Sequence, residues 1–202
     1  MKISILTFEG FNEIDSLVAF RMLKWLRKSD WDIKICCPSA EVTSMGGLTI
    51  RAQEMLEEVH KADAVIVGSG SMTRDIINDE SIMRRIQLNP KRQIIGAQCS
   101  GTLILAKLGI LDGIPACTDS MTKPWVQEAG IEVLNQPLFA KGNIATAGGC
   151  LASSYLAAWV IGKIGDLDAA KKALHYFAPM GEKDDFVERA MKNISPYLSC
   201  RN

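Results

Sequence analysis

The sequence predicts an α/β fold: a doubly wound, mostly parallel sheet with helices on both faces. Three observations predict it. Short β-branched runs alternate with longer segments of helical period, the pattern a helix-covered parallel sheet leaves in sequence. The chain has 202 residues, 48% of them hydrophobic, which is enough to bury one sizeable core. No internal repeat, low-complexity tract or Pro/Ser-rich linker interrupts it, so residues 1–202 read as a single domain.

Strands are expected at residues 2–7, 32–37, 64–67, 93–97 and 143–147. Helices are expected at 13–28, 80–88, 100–108, 122–129, 149–164, 167–177 and 182–193. The first strand is the alternating apolar run that follows Met1. In the first helix Ile14, Leu17, Val18, Met22, Trp25 and Leu26 share one stripe, which predicts the face turned to the core, while Arg21, Lys24, Arg27 and Lys28 lie elsewhere. Between Val42 and Gln53 a Gly46-Gly47 pair divides two short apolar segments and predicts a small hairpin. A second insertion is expected near residues 136–142. The longest charge-free apolar run, 147–162, falls short of the roughly 20 residues a membrane helix needs and reads as a buried helix.

Lys plus Arg number 23 and Asp plus Glu number 23, so no long-range field recruits polyanions or an acidic membrane. Neither nucleic acid nor a membrane is expected as a partner. Met1 leads straight into the first strand without a basic region or cleavage site, which points to the cytoplasm. The six cysteines, Cys36, Cys37, Cys99, Cys117, Cys150 and Cys200, form no C-x-x-C pair and are expected to be free thiols. His60 and His175 stand apart from them, so no metal site is expected.

The sharpest local signal is Gln93-Ile94-Ile95-Gly96-Ala97-Gln98-Cys99-Ser100-Gly101-Thr102-Leu103: an apolar strand, a break at cysteine, and an immediate helical pattern. A side chain on such an elbow sits at the carboxyl edge of the sheet, where parallel α/β folds place ligands. Gly101 lets the helix start close to the strand. Sulfur at the positive end of the helix is expected to have a lowered pKa. On this context alone Cys99 reads either as a reactive thiol or as an inert buried one.

The elbow, the run Leu108-Gly109-Ile110-Leu111-Asp112-Gly113, and Gly10-Phe11-Asn12-Glu13-Ile14-Asp15 after the first strand together resemble the ThiJ/PfpI (DJ-one) superfamily. The likeness is greatest to its isonitrile hydratase branch and to the amidotransferase-like sensor domains of AraC-type regulators, and runs from Lys2 to about Pro179. It implies a flavodoxin-like, class I glutamine amidotransferase-like fold, and a homodimer. The 149–164 helix and the His175–Pro179 segment are candidates for the dimer interface.

The resemblance also implies an acidic side chain aimed at the cysteine sulfur. Asp15 holds the matching position, with Glu13 as the neighbouring alternative. Without the resemblance, Asp15 reads equally as an exposed first-turn residue. Where the family usually has Pro-Gly-Gly, this chain has Gly68-Ser69-Gly70. The Gly70 amide, with the Ser100 N–H, is expected to bind a developing oxyanion. The Gly-x-Gly pair does not extend into a dinucleotide fingerprint, and no cofactor is expected.

Two family histidine positions are unfilled: Ser100 follows the cysteine, and Asp119 stands in the run Cys117-Thr118-Asp119-Ser120. A Cys-His peptidase is therefore not expected. What remains is a thiol paired with a carboxyl group, Cys99 with Asp15, helped by Ser100 and Gly70. Two functions follow. One is hydratase- or hydrolase-like chemistry on a small electrophilic substrate. The other is a sensor whose partner is an oxidant or metabolite, with Cys117 or Cys150 resolving an oxidised Cys99. No DNA-reading segment follows Pro179.

Overall fold

The computed structural model describes residues 1–198. Its elements run β1 (Lys2–Leu6), α1 (Glu13–Trp25), β2 (Asp32–Cys37), β3 (Glu41–Thr43), β4 (Thr49–Arg51), β5 (Glu54–Met55), β6 (Ala64–Val67), α2 (Thr73–Ile76), α3 (Glu80–Met83), β7 (Ile94–Gln98), α4 (Gly101–Lys107), α5 (Lys123–Glu128), β8 (Leu138–Lys141), β9 (Ile144–Ala147), α6 (Ser153–Lys163), α7 (Leu167–Phe177) and α8 (Lys183–Ile194). Short 3-10 turns at Leu56–Lys61, Cys150–Ala152 and Ser195–Tyr197 complete the set.

Seven strands pair in the order β5-β2-β1-β6-β7-β9-β8, and β3 with β4 makes the separate hairpin expected around the glycine pair. Every pairing in the large sheet is parallel except β8 with β9. Strand residues alternate between two cores: Ala64 and Ile66 face the cluster made with α1, α6, α7 and α8, whereas Val65 and Val67 face the cluster made with α4 and α5. Both faces of the sheet are therefore covered, as the apolar strand runs require. The chain winds from β1 toward β2 on one side and toward β6 on the other. The loops after β1 and β6 diverge at that point and leave a crevice at the carboxyl ends of the strands.

Several expectations shift. The 80–88 helix ends at Met83; the chain turns so that Ile86 enters the core and Arg85 reaches Glu57 at 2.7 Å, ahead of Pro90. The insertion near 136–142 is the antiparallel edge strand β8, joined to β9 through Gly142-Asn143. In α1 the buried face carries Asp15, Ser16, Ala19, Met22 and Leu23, while Ile14 is 43% exposed. The apolar stripe missed this because two of the buried positions are polar. The 149–164 segment opens as a 3-10 turn and continues as α6, where Leu156 through Ile161 are fully buried. That helix belongs to the core, while Leu151 ahead of it is 78% exposed. Of the His175–Pro179 segment, Tyr176 is half exposed. Among the described residues no helix is long and apolar enough to cross a membrane. Cys200 lies outside the described residues, and the other five cysteines are free thiols.

Candidate active site

Cys99 occupies the turn between β7 and α4 with φ at 45°, in the left-handed region that a side chain rarely adopts. Its backbone is held from both directions. The Cys99 N–H donates to Ala147 O at 2.8 Å, and Cys99 O accepts from Thr118 Oγ1 at 2.7 Å. The helix that follows can begin this close only because residue 101 is glycine: a Cβ there would stand 2.5 Å from Val67 O.

Asp15 reaches the same point from the first turn of α1, where Asn12 Oδ1 caps the helix by accepting from the Ile14 N–H at 3.0 Å. Its side chain is fully buried. The carboxyl group accepts from Ser69 Oγ, and from Ser153 Oγ at 3.3 Å. The carboxyl of Asp15 and the sulfurs of Cys99 and Cys150 lie within 4.8 Å of one another. Glu13 turns the other way and binds the hairpin, accepting from Ser44 Oγ at 2.5 Å and from the Gly46 N–H at 3.1 Å. The buried position, and not the exposed first-turn one, is the one Asp15 takes.

Burial raises the pKa of Asp15, and the hydrogen bonds from Ser69, Cys99, Cys150 and Ser153 oppose that only in part. Burial also pushes the Cys99 thiol up, and the Asp15 charge and hydrogen bond push the same way, as does the Asp119 charge. This reverses the lowered pKa expected from the helix end. A seven-residue helix does not offset a dry site with a carboxylate beside the sulfur. The two groups therefore titrate as a pair and retain one proton between them, with one negative charge shared by the site.

Gly70 and Ser100 are where the elbow meets the β6 loop, but not as expected. The Gly70 N–H donates to Ser100 Oγ at 3.0 Å, and the same hydroxyl shares a hydrogen bond with Thr73 Oγ1 at 2.7 Å. The Gly70 amide is thus engaged in locking the loop to α4. A Cβ on Gly70 would lie 2.4 Å from Gly10 O, so glycine is required by the close crossing of two chains.

Residues that sequence reasoning missed complete the surroundings. Gln98, fully buried, places Nε2 at 3.4 Å from Cys99 Sγ and 2.9 Å from Gly149 O. Asn12 Nδ2 stands 3.3 Å from Cys150 Sγ. Asn12 and Ser69 lie inside runs singled out in the sequence, whereas Ser153 carries no sequence signal. The site opens to solvent through a cleft of about 490 Å³ lined in part by Asn12, Met45, Cys99, Asp119, Met121 and Trp125.

The other candidates lie elsewhere or do other work. Asp119 holds the turn ahead of α5, accepting from the N–H groups of Met121 and Thr122 at 2.9 and 3.0 Å and from Thr122 Oγ1 at 2.6 Å. Cys117 is buried under Thr102, and burial pushes its thiol up to about 12. His60 is exposed on the 56–61 turn, and His175 is exposed on α7 beside Asp184 at 3.8 Å. Among the described residues, Asp15, Cys99 and Cys150 form the one group with donor atoms close enough to hold a cation. Ligand spacing along the chain could not reveal a group drawn from three distant segments.

Solved structures share this architecture at low identity. Schizosaccharomyces pombe DJ-1 superposes with a TM-score of 0.75 at 15% identity, covering 89% of this chain and 100% of that one. A ThiJ/PfpI family protein from Pseudomonas syringae gives 0.77 at 19%, covering 98% and 89%. Oxidized Toxoplasma gondii DJ-1 gives 0.73 at 14%, covering 87% and 96%. Among proteins with curated descriptions, none matches the sequence. Residues 1–162, four-fifths of the chain and the whole of the elbow, crevice and acid described above, match the DJ-1/PfpI family, and the protein belongs to that family.

Proposed function

We propose that the protein is a cysteine-dependent hydratase or hydrolase of small electrophiles, of the isonitrile hydratase kind, with Cys99 as nucleophile and Asp15 as proton carrier. The observation that carries this reading is the buried Asp15 carboxyl beside Cys99 Sγ at the floor of an open cleft. The raised thiol is not a standing thiolate; it becomes a nucleophile as Asp15 takes its proton. With an isonitrile, sulfur bonds to the terminal carbon and Asp15 passes the proton to that carbon, giving a thioimidate. Water then adds to the same carbon, the carbon–sulfur bond breaks, and the products are a formamide and the free thiol. The Ser100 N–H is the donor this reading assigns to developing negative charge, while Ser100 Oγ and Gly70 hold the loop in place. Cys99→Ser is expected to abolish turnover of isonitriles, glyoxals or small amides; turnover equal to wild type on all three would remove the reading.

A second reading, an oxidant sensor, is favoured by one observation: Cys150 Sγ, and not that of Cys117, lies near Cys99 Sγ. Hydrogen peroxide would transfer an oxygen atom to one sulfur, giving a sulfenic acid and water, and the second thiol would displace water to form the disulfide. Mild peroxide should then yield a Cys99–Cys150 linked peptide by mass spectrometry; oxidation spread evenly over the cysteines would exclude the sensor. A homodimer in the cytoplasm belongs to both readings, and sedimentation at micromolar concentration tests the dimer.

A further inference from the structure

The cleft above Cys99 has a one-sided chemistry. None of the described side chains lining it is Lys, Arg or His, and Asp119 contributes a carboxylate beyond the Asp15–Cys99 pair beneath. Asp119 cannot swing away, because three donors from Met121 and Thr122 fix it. An anionic group entering here would meet two like charges and no counterion among the residues that line the cleft. A cationic group finds little more. Three of the roughly four acceptor positions of Asp119 are occupied. Arg74 already lies 5.1 Å from the centroid of the Trp125 ring, so a second cation on that ring would meet a like charge.

What the cleft does offer is apolar surface that moulds to shape. Met45 is 60% exposed and Met121 76% exposed. Their unbranched thioethers lie with Trp125 around the opening and adapt to whatever hydrocarbon they cover. Exposed methionines at a cleft mouth have no role in the core.

We infer that Asp119, Trp125 and Met121 determine specificity: the cleft admits a compact electrophile with a neutral apolar substituent, seated on Trp125 and Met121, and Asp119 turns anions away. This rests on the reading of Cys99 as nucleophile.

The test uses alkylation of Cys99 in the intact protein by iodoacetamide, iodoacetate and N-benzyl iodoacetamide at one pH, read from the mass of the Cys99 peptide. Each rate is divided by that of free cysteine with the same reagent, so ratios within one variant cancel any change in thiol reactivity. In wild type, the neutral amide is expected to exceed the anion by roughly tenfold, and Asp119→Asn to cut that preference about fivefold, since one charge at cleft distance is removed. Asparagine forms the same side-chain turns as aspartate, so the turn ahead of α5 should persist in that variant. The N-benzyl reagent should outpace iodoacetamide in wild type and lose that advantage in Trp125→Ala. Amide and anion reacting alike in wild type, or a preference unchanged in Asp119→Asn, would overturn the assignment while leaving Cys99 a nucleophile. A Cys99 inert to all three reagents would instead overturn the nucleophile reading and this inference with it.

Discussion

At Asp15 two pressures act on one proton. Burial favours the neutral acid, while hydrogen bonds from Ser69, Cys99, Cys150 and Ser153 favour the carboxylate, and burial prevails. The sign for stability follows. A carboxyl group whose folded pKa lies above its unfolded value binds more protons when folded, so stability falls as pH rises from about 4 through the raised value. Asp15→Asn, which removes the ionisation, should therefore be more stable than wild type at neutral pH by roughly 0.5–2 kcal/mol, with the gap closing as pH falls toward about 4. The same change should lower catalysis by about 10²–10⁴-fold. Because the Asp15 charge raises Cys99, alkylation of Cys99 should also shift to lower pH in the variant; thermal melts and alkylation rates across pH check both. Asp119 differs in kind: its oxygens are committed to the turn ahead of α5, where Met121 and Thr122 supply three donors.

The elements show which parts of the site could be read from sequence. The elbow was legible because strand, break, cysteine and helix are consecutive, and local chemistry alone produces them. The partner of Cys99 was legible only through a motif resemblance, because α1 and β7 are brought together by the sheet order β1-β6-β7 and no local pattern encodes that. Gln98 and Ser153 were illegible for the same reason: a buried polar side chain resembles a surface one until its partners are known. The Gly70 amide, expected to face an oxyanion, instead donates to a side chain of a different segment, Ser100 Oγ. The joint between β6 and α4 makes its own prediction. Gly101→Ala would press a methyl group onto Val67 O at 2.5 Å and Gly68 O at 2.7 Å. Overpacking of this kind costs about 1–3 kcal/mol, seen as a lower urea midpoint at unchanged slope.

For the molecule as a whole, the sheet is shared by two cores, one on each face. Trp25, Trp31 and Trp159 report on the first and Trp125 on the second. If the chain is one cooperative domain, tryptophan fluorescence and far-ultraviolet circular dichroism should give coincident urea transitions, and so should a variant that keeps only Trp125 fluorescent. Two separated transitions would divide the chain.

The ends of the sheet bear on solubility. One edge, β5, is two residues long, and its Glu54 is held by Lys2 at 2.8 Å and Lys34 at 3.1 Å. The other, β8, runs antiparallel for four residues, ends in Lys141, and carries Phe139 packed edge-on against Tyr197 at 5.6 Å. Neither edge presents a long flat row of backbone donors and acceptors, so a fold whose central strands are largely apolar gives neighbouring molecules little template for strand addition and fibril growth.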